Sequence, residues 1–99
     1  MSKPQPPDNP LKLHVKILSP TQTLYDSLAV SVSAINEVGP FDILADHANF
    51  FSMLTTGDVI VNNNIQNFTF HVTKGIIKVT NNTVICFVDI EPGYGQEAA

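Results

Sequence analysis

Apolar and polar residues alternate with a period of two over much of the chain, and this feature restricts the possible folds most. Between Leu11 and Ile17 every second residue is apolar, and the residues between them are Lys12, His14 and Lys16. Successive side chains of a β-strand point to opposite faces, whereas a helix requires a period of 3.6 residues. The pattern therefore predicts strands that bury one face and expose the other.

Further segments show the same alternation, and the run Val84–Val88 is apolar without interruption. The continuous run predicts a strand in the middle of a sheet or one covered on both faces, and the most buried element of the fold. Cys86 within it is interpreted as a small buried hydrophobic residue. In the other segments the predicted core-facing residues are Leu28, Val30, Val32, Ala34, Val59, Val61, Phe68, Phe70 and Val72.

Asparagines lie where these segments meet. Asn81 and Asn82 separate two β-branched runs, and asparagine tolerates the positive φ that a type I′ hairpin turn requires. The triplet Asn62–Asn64 predicts a second hairpin. Turn residues separate the alternating segments, and no segment has the pattern of a convincing amphipathic helix. The sequence therefore predicts an all-β fold. The expected architecture is a two-sheet antiparallel β-sandwich of about eight to ten short strands.

The folded domain is expected to comprise residues 11–90. Residues 1–10 contain four of the seven prolines and predict a flexible tail. A second flexible tail is predicted for residues 91–99, where Pro92 and Gly93 break any continuing element.

Charge and cysteine content exclude several functions. The chain has five basic and nine acidic residues and a net charge of −4, which disfavours binding to nucleic acid. A single cysteine cannot form an internal disulfide or a clustered zinc site. No segment approaches the ~20 apolar residues of a membrane span, so no direct membrane insertion is expected.

The histidines give no strong catalytic or metal-binding signal. His14 and His71 fall on the polar phase of their strands, which predicts solvent exposure and not metal ligation. The adjacent pair Asp46-His47 resembles part of a general-base site, but neighbouring side chains point apart and the sequence places no nucleophile beside them. No catalytic, cofactor-binding or metal-binding residue is predicted. A small hydrolase that uses Asp46 and His47 remains a third hypothesis, which requires a concave pocket around them.

Several linked segments resemble the N-terminal domain of the epsilon subunit of F-type ATP synthases. The segment Gly39–Ala48, with the sequence GPFDILADHA, resembles the family's "GefGILpgHA". Ser19–Thr21 with Leu24 and Tyr25 resembles "TPE…vY", Leu54–Gly57 resembles "L.pG", and Val72–Val79 resembles "vsgGflev". Their order and spacing agree, and together they cover nearly all of residues 11–89.

The resemblance implies a non-catalytic rotor subunit. In that family the domain is a β-sandwich at the foot of the central stalk. It binds the gamma subunit on one side and the polar loops of the c ring on the other, and so couples ion-driven rotation to ATP synthesis. The implied location is a peripheral complex at the cytoplasmic face of the bacterial inner membrane, or the equivalent organelle side. The implied partner-interface residues are Gly39, Pro40, Phe41, Asp42, Asp46, His47, Ala48, Phe50 and Phe51.

Some details of this interface stay open at the level of sequence. His47 is either a contact for rotor partners or an exposed loop histidine. One of Phe50 and Phe51 faces outward and marks an interface, or both are buried at a sheet corner.

Two departures from the family pattern leave alternatives. Pro40 stands where the family usually has an acidic residue, so a c-ring contact would use Glu37, Asp42 or Asp46, or the protein belongs to an unusual complex.

Family members commonly continue into a two-helix hairpin, which in some carries ATP-binding residues. The segment 91–99 is too short and too rich in proline and glycine for such a hairpin, and without the hairpin no nucleotide binding is expected. The alternative function is a free-standing epsilon-like interaction module with another partner.

Overall fold

A computed structural model describes residues 11–90, and both predicted tails, 1–10 and 91–99, lie outside the described residues. The described residues form strands and no helix, so this part of the chain has no helix able to span a membrane. The strands are β1 (Leu13–Leu18), β2 (Thr23–Ala29), β3 (Ser31–Asn36), β4 (Gly39–Leu44), β5 (Phe50–Leu54), β6 (Gly57–Asn62), β7 (Asn67–Thr80) and β8 (Thr83–Ile90).

The long strand β7 belongs to two sheets. Its first half pairs with β6, which leads to β3 and then β4, and we call this group sheet I. Its second half pairs with β5 on one side and with β8 on the other, and β1 and β2 follow β8 in what we call sheet II. The register shifts between Val72 and Lys74, where β7 passes from one sheet to the other. The predicted two-sheet β-sandwich is confirmed.

One strand pair differs from the antiparallel expectation. β1 and β8 pair in parallel, with His14 opposite Thr83 and Leu18 opposite Phe87. Parallel neighbours require a long crossover connection, and here all of β2 to β7 lies between the two strands. The first and last strands of the domain therefore lie side by side in the middle of sheet II.

The core is apolar, and all eight strands contribute to it. Among the described residues no polar or charged side chain is buried. Phe41, Phe50, Phe68 and Phe70 are half-buried and pack against the core. Its buried side chains are Leu13, Val15, Ile17, Tyr25, Ala29, Val32, Ala34, Ile43, Leu54, Val59, Val61, Val72, Ile77, Val79, Val84, Cys86 and Val88.

The predicted orientation of Leu28 is wrong. Its side chain is 42% exposed, whereas Ala29 is fully buried. The alternation in this region belongs to two strands, because β2 ends at Ala29 and β3 begins at Ser31. Between them the chain leaves sheet II for sheet I, and the backbone N–H of Val30 donates to the carbonyl of Asn62 at 2.8 Å. The alternation of inward and outward side chains starts anew in each strand. One alternating pattern extended across both strands therefore gives Leu28 the wrong orientation.

Strand β8 is covered on one face and not on both. It lies between β1 and β7, as predicted for a strand in the middle of a sheet. However, Phe87 is 52% exposed, because it points away from the core while Val84, Cys86 and Val88 point into it. The expectation that β8 is the most buried element is also wrong, since β3 and β6 contain no exposed residue.

Both predicted hairpin turns are confirmed. Asn81 and Asn82 have φ values of 49° and 61°, which fit a type I′ turn between β7 and β8. The β6–β7 loop is closed by the pair Asn62 and Asn67 and contains Asn64 with a φ of 75°.

Candidate partner interface

The predicted interface segment connects the edges of the two sheets. β4 is the edge strand of sheet I, and β5 pairs on one side only, with β7 of sheet II. The connecting loop, residues 45–49, carries His47 and is called the His47 loop below. The nine predicted residues therefore lie on two edge strands and the loop between them.

Asn82 of the β7–β8 turn holds the His47 loop in place. Asp46 has a φ of 65°, and its backbone N–H donates to Asn82 Oδ1 at 2.6 Å. In return, Asn82 Nδ2 donates to Asp46 Oδ1 at 3.3 Å. The carbonyl of Asn82 also accepts from the backbone N–H of His14 at 2.8 Å. A short polar side chain thus joins segments that are 36 residues apart in sequence.

Three aromatic rings connect the loop to the core. The ring of His47 lies 5.5 Å from that of Phe50, and Phe50 lies 5.3 Å from Phe41, both in edge-to-face geometry. Phe41 and Phe50 are both half-buried against the core. They therefore support the loop from inside.

Phe50 and Phe51 point to opposite faces of β5. Phe50 is directed inward, whereas Phe51 is 63% exposed on the outer face of sheet II. The hypothesis that one of the two faces outward is confirmed, and the alternative in which both are buried is wrong. Phe51 is therefore the one of the pair that is available to a partner.

The Asp46-His47 pair does not form a general-base arrangement. The Asp46 carboxylate accepts from Asn82, and His47 Nδ1 lies 2.7 Å from the carbonyl of Ala48. Because a carbonyl can only accept, Nδ1 carries the proton. The shallow groove beside the loop is lined by Asp46–Asn49, Asn81 and Asn82, which include no serine, threonine or cysteine nucleophile.

The other predicted residues lie apart from this loop. Gly39 begins β4, and Pro40 and Asp42 are exposed on the outer face of sheet I, where Ser33 Oγ donates to Asp42 Oδ1 at 2.6 Å. Phe51, in contrast, is exposed on the outer face of sheet II. The nine residues therefore form separate surfaces, not one patch.

An apolar surface on sheet II was not predicted from the sequence. The strand register places Met53 opposite Ile76, Ile76 opposite Phe87, and Phe87 opposite Leu18. We call these four residues the apolar row. Met53 is 70% exposed, and the row lines a groove of about 340 Å³. The signal for this surface in the sequence was the spacing of Phe51 and Met53. They are two residues apart, so one face of β5 carries two large apolar residues.

The other two histidines of the described chain each pair with an aspartate. His14 Nε2 lies 2.8 Å from Asp26 Oδ1, and His71 Nδ1 contacts the Asp58 carboxylate. His14 is exposed as predicted, and His71 is half-buried. Within residues 11–90 no three histidine, cysteine, aspartate or glutamate side chains are grouped to hold a metal ion. Burial raises the pKa of the Cys86 thiol to about 12, so the thiol stays protonated.

Comparison with solved structures supports the fold. One chain of the mitochondrial ATP synthase central stalk and c ring from Tetrahymena thermophila aligns with a TM-score of 0.67 and 18% identity, covering 78% of this chain and 63% of that chain. One chain of the Euglena gracilis mitochondrial ATP synthase aligns with a TM-score of 0.74 and 13% identity, covering 89% of this chain and 59% of that chain. At these identities the matches establish a shared fold.

Comparison of sequences gives the family. The ATP synthase epsilon chain of Sulfurimonas denitrificans is 28% identical over 79 residues, which are 79% of this chain and 61% of that relative. The chain thus spans less than two thirds of the length of this relative. The family model described as "ATP synthase, Delta/Epsilon chain, beta-sandwich domain" matches residues 12–90. The chain therefore belongs to the β-sandwich domain family of the ATP synthase delta and epsilon chains, whose members are non-catalytic stalk subunits.

Proposed function

We propose that this β-sandwich is the docking domain of a rotor subunit in the central stalk of an F-type ATP synthase. In this role it binds the gamma subunit and the polar loops of the c ring, and it helps to couple ion-driven rotation to ATP synthesis. It works within a peripheral complex at the cytoplasmic face of the bacterial inner membrane, or at the equivalent organelle side. Family membership supports this role, and the exposed surfaces of both sheets are available for such contacts.

The apolar row is the observation that carries the proposal for gamma. Met53, Phe87 and the neighbouring Phe51 are each more than half exposed. Soluble proteins rarely leave contiguous apolar surface of this kind uncovered, and buried aromatic and aliphatic anchors contribute most of the affinity at interfaces. Phe51 extends this surface along β5 toward the end of the strand that follows the His47 loop. We therefore place gamma on the outer face of sheet II and the His47 loop at its border.

The c-ring contact is proposed for the β3–β4 turn. Of the three acidic candidates, Asp46 bonds to Asn82 and Asp42 to Ser33. Glu37 is exposed and has no hydrogen bond or ion pair to another described residue. Its carboxylate is thus the best placed of the three to replace the charge that the family usually carries at the position of Pro40.

Binding of the full chain to purified gamma from the same cell tests the proposal. We expect a complex at micromolar concentration or tighter. We also expect Met53→Ser with Phe87→Ser to weaken it at least about tenfold, because two anchors lose their apolar contacts. Ile65→Ser is the matched control, since Ile65 is 86% exposed but lies in the β6–β7 loop, away from the row. The rotor role fails if wild-type protein forms no complex at micromolar concentration.

Pro40 favours a second candidate function. An exposed proline carries neither the charge nor the N–H of the usual family residue at this position. A free-standing epsilon-like module with another partner accounts for that change. A gene position away from the ATP synthase beta subunit, together with absence of binding to gamma, supports this alternative.

A further inference from the structure

The lysines of the described chain share one face of the molecule. Lys16, Lys74 and Lys78 fall on the outward phase of β1 and β7, on the same side as the apolar row, and Lys12 directly precedes β1 in the same alternation. Only two carboxylates, Asp26 and Asp89, lie on this phase of sheet II. Of the other described acids, Glu37, Asp42 and Asp58 lie on sheet I or in its β3–β4 turn, and Asp46 lies in the His47 loop between the sheets. In a chain of net charge −4, the outer face of sheet II is therefore net positive.

Three of these lysines border the apolar row. Lys74 lines the groove itself, together with Asp89, and Lys16 and Lys78 lie on the other side of the row. Lys16 and Lys78 both lie opposite Ile85, one on each side of β8. Adjacent strands are ~4.8 Å apart, so the two lysines are roughly 10 Å from each other. Lys16 precedes Leu18 by two residues, and Lys78 follows Ile76 by two, which puts both about 7 Å from the row. The row therefore has a cationic border along one side.

Neither lysine has an acidic partner among the described residues. Asp26 lies opposite Lys16 in the register, but its carboxylate bonds to His14 at 2.8 Å. Asp89 pairs with Lys74, with 3.8 Å between Lys74 Nζ and the carboxylate oxygen. Neither Lys16 nor Lys78 forms an ion pair within residues 11–90. Two lysines free of ion pairs beside an exposed apolar groove are able to recruit carboxylates from a partner.

We infer that the partner segment seated on the apolar row is an amphipathic helix that presents carboxylates to Lys16 and Lys78. This inference rests on the proposed docking function and specifies the chemistry of the partner. The row crosses four strands, or roughly 14 Å, which corresponds to between two and three turns of helix. Apolar residues of such a helix, spaced three and four apart, fill the groove, and acidic residues follow one flank.

Charge and shape argue against two other occupants. A second copy of the chain in a symmetric dimer brings this net positive face against itself, and like charges in contact oppose association. An anionic membrane also attracts lysines and apolar side chains. However, the apolar row lines a concave groove of about 340 Å³, which inserted side chains fill and a flat lipid surface does not.

Salt-dependent affinity of the full chain for gamma tests the inference. The variant Lys16→Gln/Lys78→Gln should bind roughly 3- to 30-fold more weakly at low salt, mainly through slower association, because each solvated pair contributes modestly. The difference should shrink at about 1 M salt, where the Debye length is only ~3 Å. Lys12→Gln is the control, since it removes the same charge about 20 Å from the row along β1. Its affinity should stay within about twofold of wild type.

Zero-length carbodiimide coupling of the complex identifies the partner groups. We expect Lys16 or Lys78 to be joined to an aspartate or glutamate of gamma, in a segment with helical apolar spacing. The inference is overturned if the double variant binds gamma as tightly as wild type at low salt and no such link forms; the docking function then still stands. Absence of any complex instead refutes the docking function itself. The inference is also overturned if the protein binds anionic phosphatidylserine vesicles in the absence of gamma and this binding depends on Lys16 and Lys78. The occupant of the apolar row is then a membrane and not a helix.

Discussion

Asn82 occupies the second central position of the β7–β8 turn with a φ of 61°, and its side chain bonds to the backbone and the carboxylate of Asp46. The same residue therefore serves a turn and fixes the His47 loop. The turn was predictable from the sequence, because asparagine tolerates positive φ. The bond to Asp46 was not, since the two residues are 36 positions apart and only the fold brings them together.

Substitutions at Asn82 separate its two roles. Asn82→Gly keeps the turn geometry but removes the bonds to Asp46, so we expect the free energy of unfolding to fall by about 1 to 2 kcal/mol. Asn82→Ala should cost about 1 kcal/mol more, because a Cβ at positive φ is strained. Urea denaturation measures both changes, and Asn81→Gly serves as the control that alters only the turn. Unchanged amide exchange at Asp46 and His47 in Asn82→Gly would contradict the role of this side chain.

Burial of Cys86 makes stability depend on pH in the alkaline range. The thiol has a pKa of 9.0 as its ordinary value and about 12 in the folded protein. The folded state therefore retains the proton that the unfolded state releases. This contribution to stability is fully present below about pH 9 and is lost as pH rises toward 12.

Cys86→Ala isolates that contribution. We expect the stability difference between wild type and Cys86→Ala to be constant below about pH 9. Above it the difference should fall by up to ~1.4 kcal/mol per pH unit. Urea denaturation at several pH values measures the difference, and groups common to both proteins, including Tyr25, cancel. A difference that stays constant up to about pH 11 would show that the thiol ionises normally in the folded state.

Among the elements, strands were predictable where one alternating pattern belongs to one strand. β1 is the clearest case, since Leu13, Val15 and Ile17 are fully buried as their spacing predicts. The pattern failed at Leu28, because the chain changes sheets at Val30 and the phase restarts. The parallel pairing of β1 with β8 was also not predictable from the sequence, since the neighbours of a strand depend on the arrangement of the whole chain. Likewise, the apolar row exists only through the register of four strands.

Gly75 shows a packing constraint within β7. A Cβ added there would lie 2.6 Å from the carbonyl oxygen of Phe87 in β8, and this is a backbone atom that moves only with its strand. We expect Gly75→Ala to lower the free energy of unfolding by about 1 to 3 kcal/mol, because β7 and β8 must separate to admit the methyl group. The urea midpoint measures this effect. Lys78→Ala, at an exposed position of the same strand, should change stability by no more than ~0.5 kcal/mol.

Gly75→Ala should also weaken the docking of gamma. The substitution displaces the backbone of Phe87, which carries an exposed ring of the apolar row. An unchanged urea midpoint would mean that the two strands tolerate the methyl group, and the family's glycine at this position would then need another explanation.

For the molecule as a whole, β7 determines how the two sheets depend on each other. Its first half completes sheet I, and its second half lies between β5 and β8 in sheet II. Both sheets bury their inner faces in one core, to which all eight strands contribute. If either sheet unfolds, the other loses both the facing half of the core and part of its own strand β7. The domain should therefore unfold as one cooperative unit.

Two matched core substitutions test this cooperativity. Val61 in sheet I and Val79 in sheet II are both buried, with 0% and 1% exposure. We expect Val61→Ala and Val79→Ala each to lower the free energy of unfolding by about 1.5 to 3 kcal/mol in a single transition with an unchanged m-value. Each should also accelerate the slowest amide exchange equally in both sheets, because these amides exchange through global unfolding. Val61→Ala would refute the shared core if it accelerated exchange in sheet I alone, since sheet II would then retain its structure without its partner.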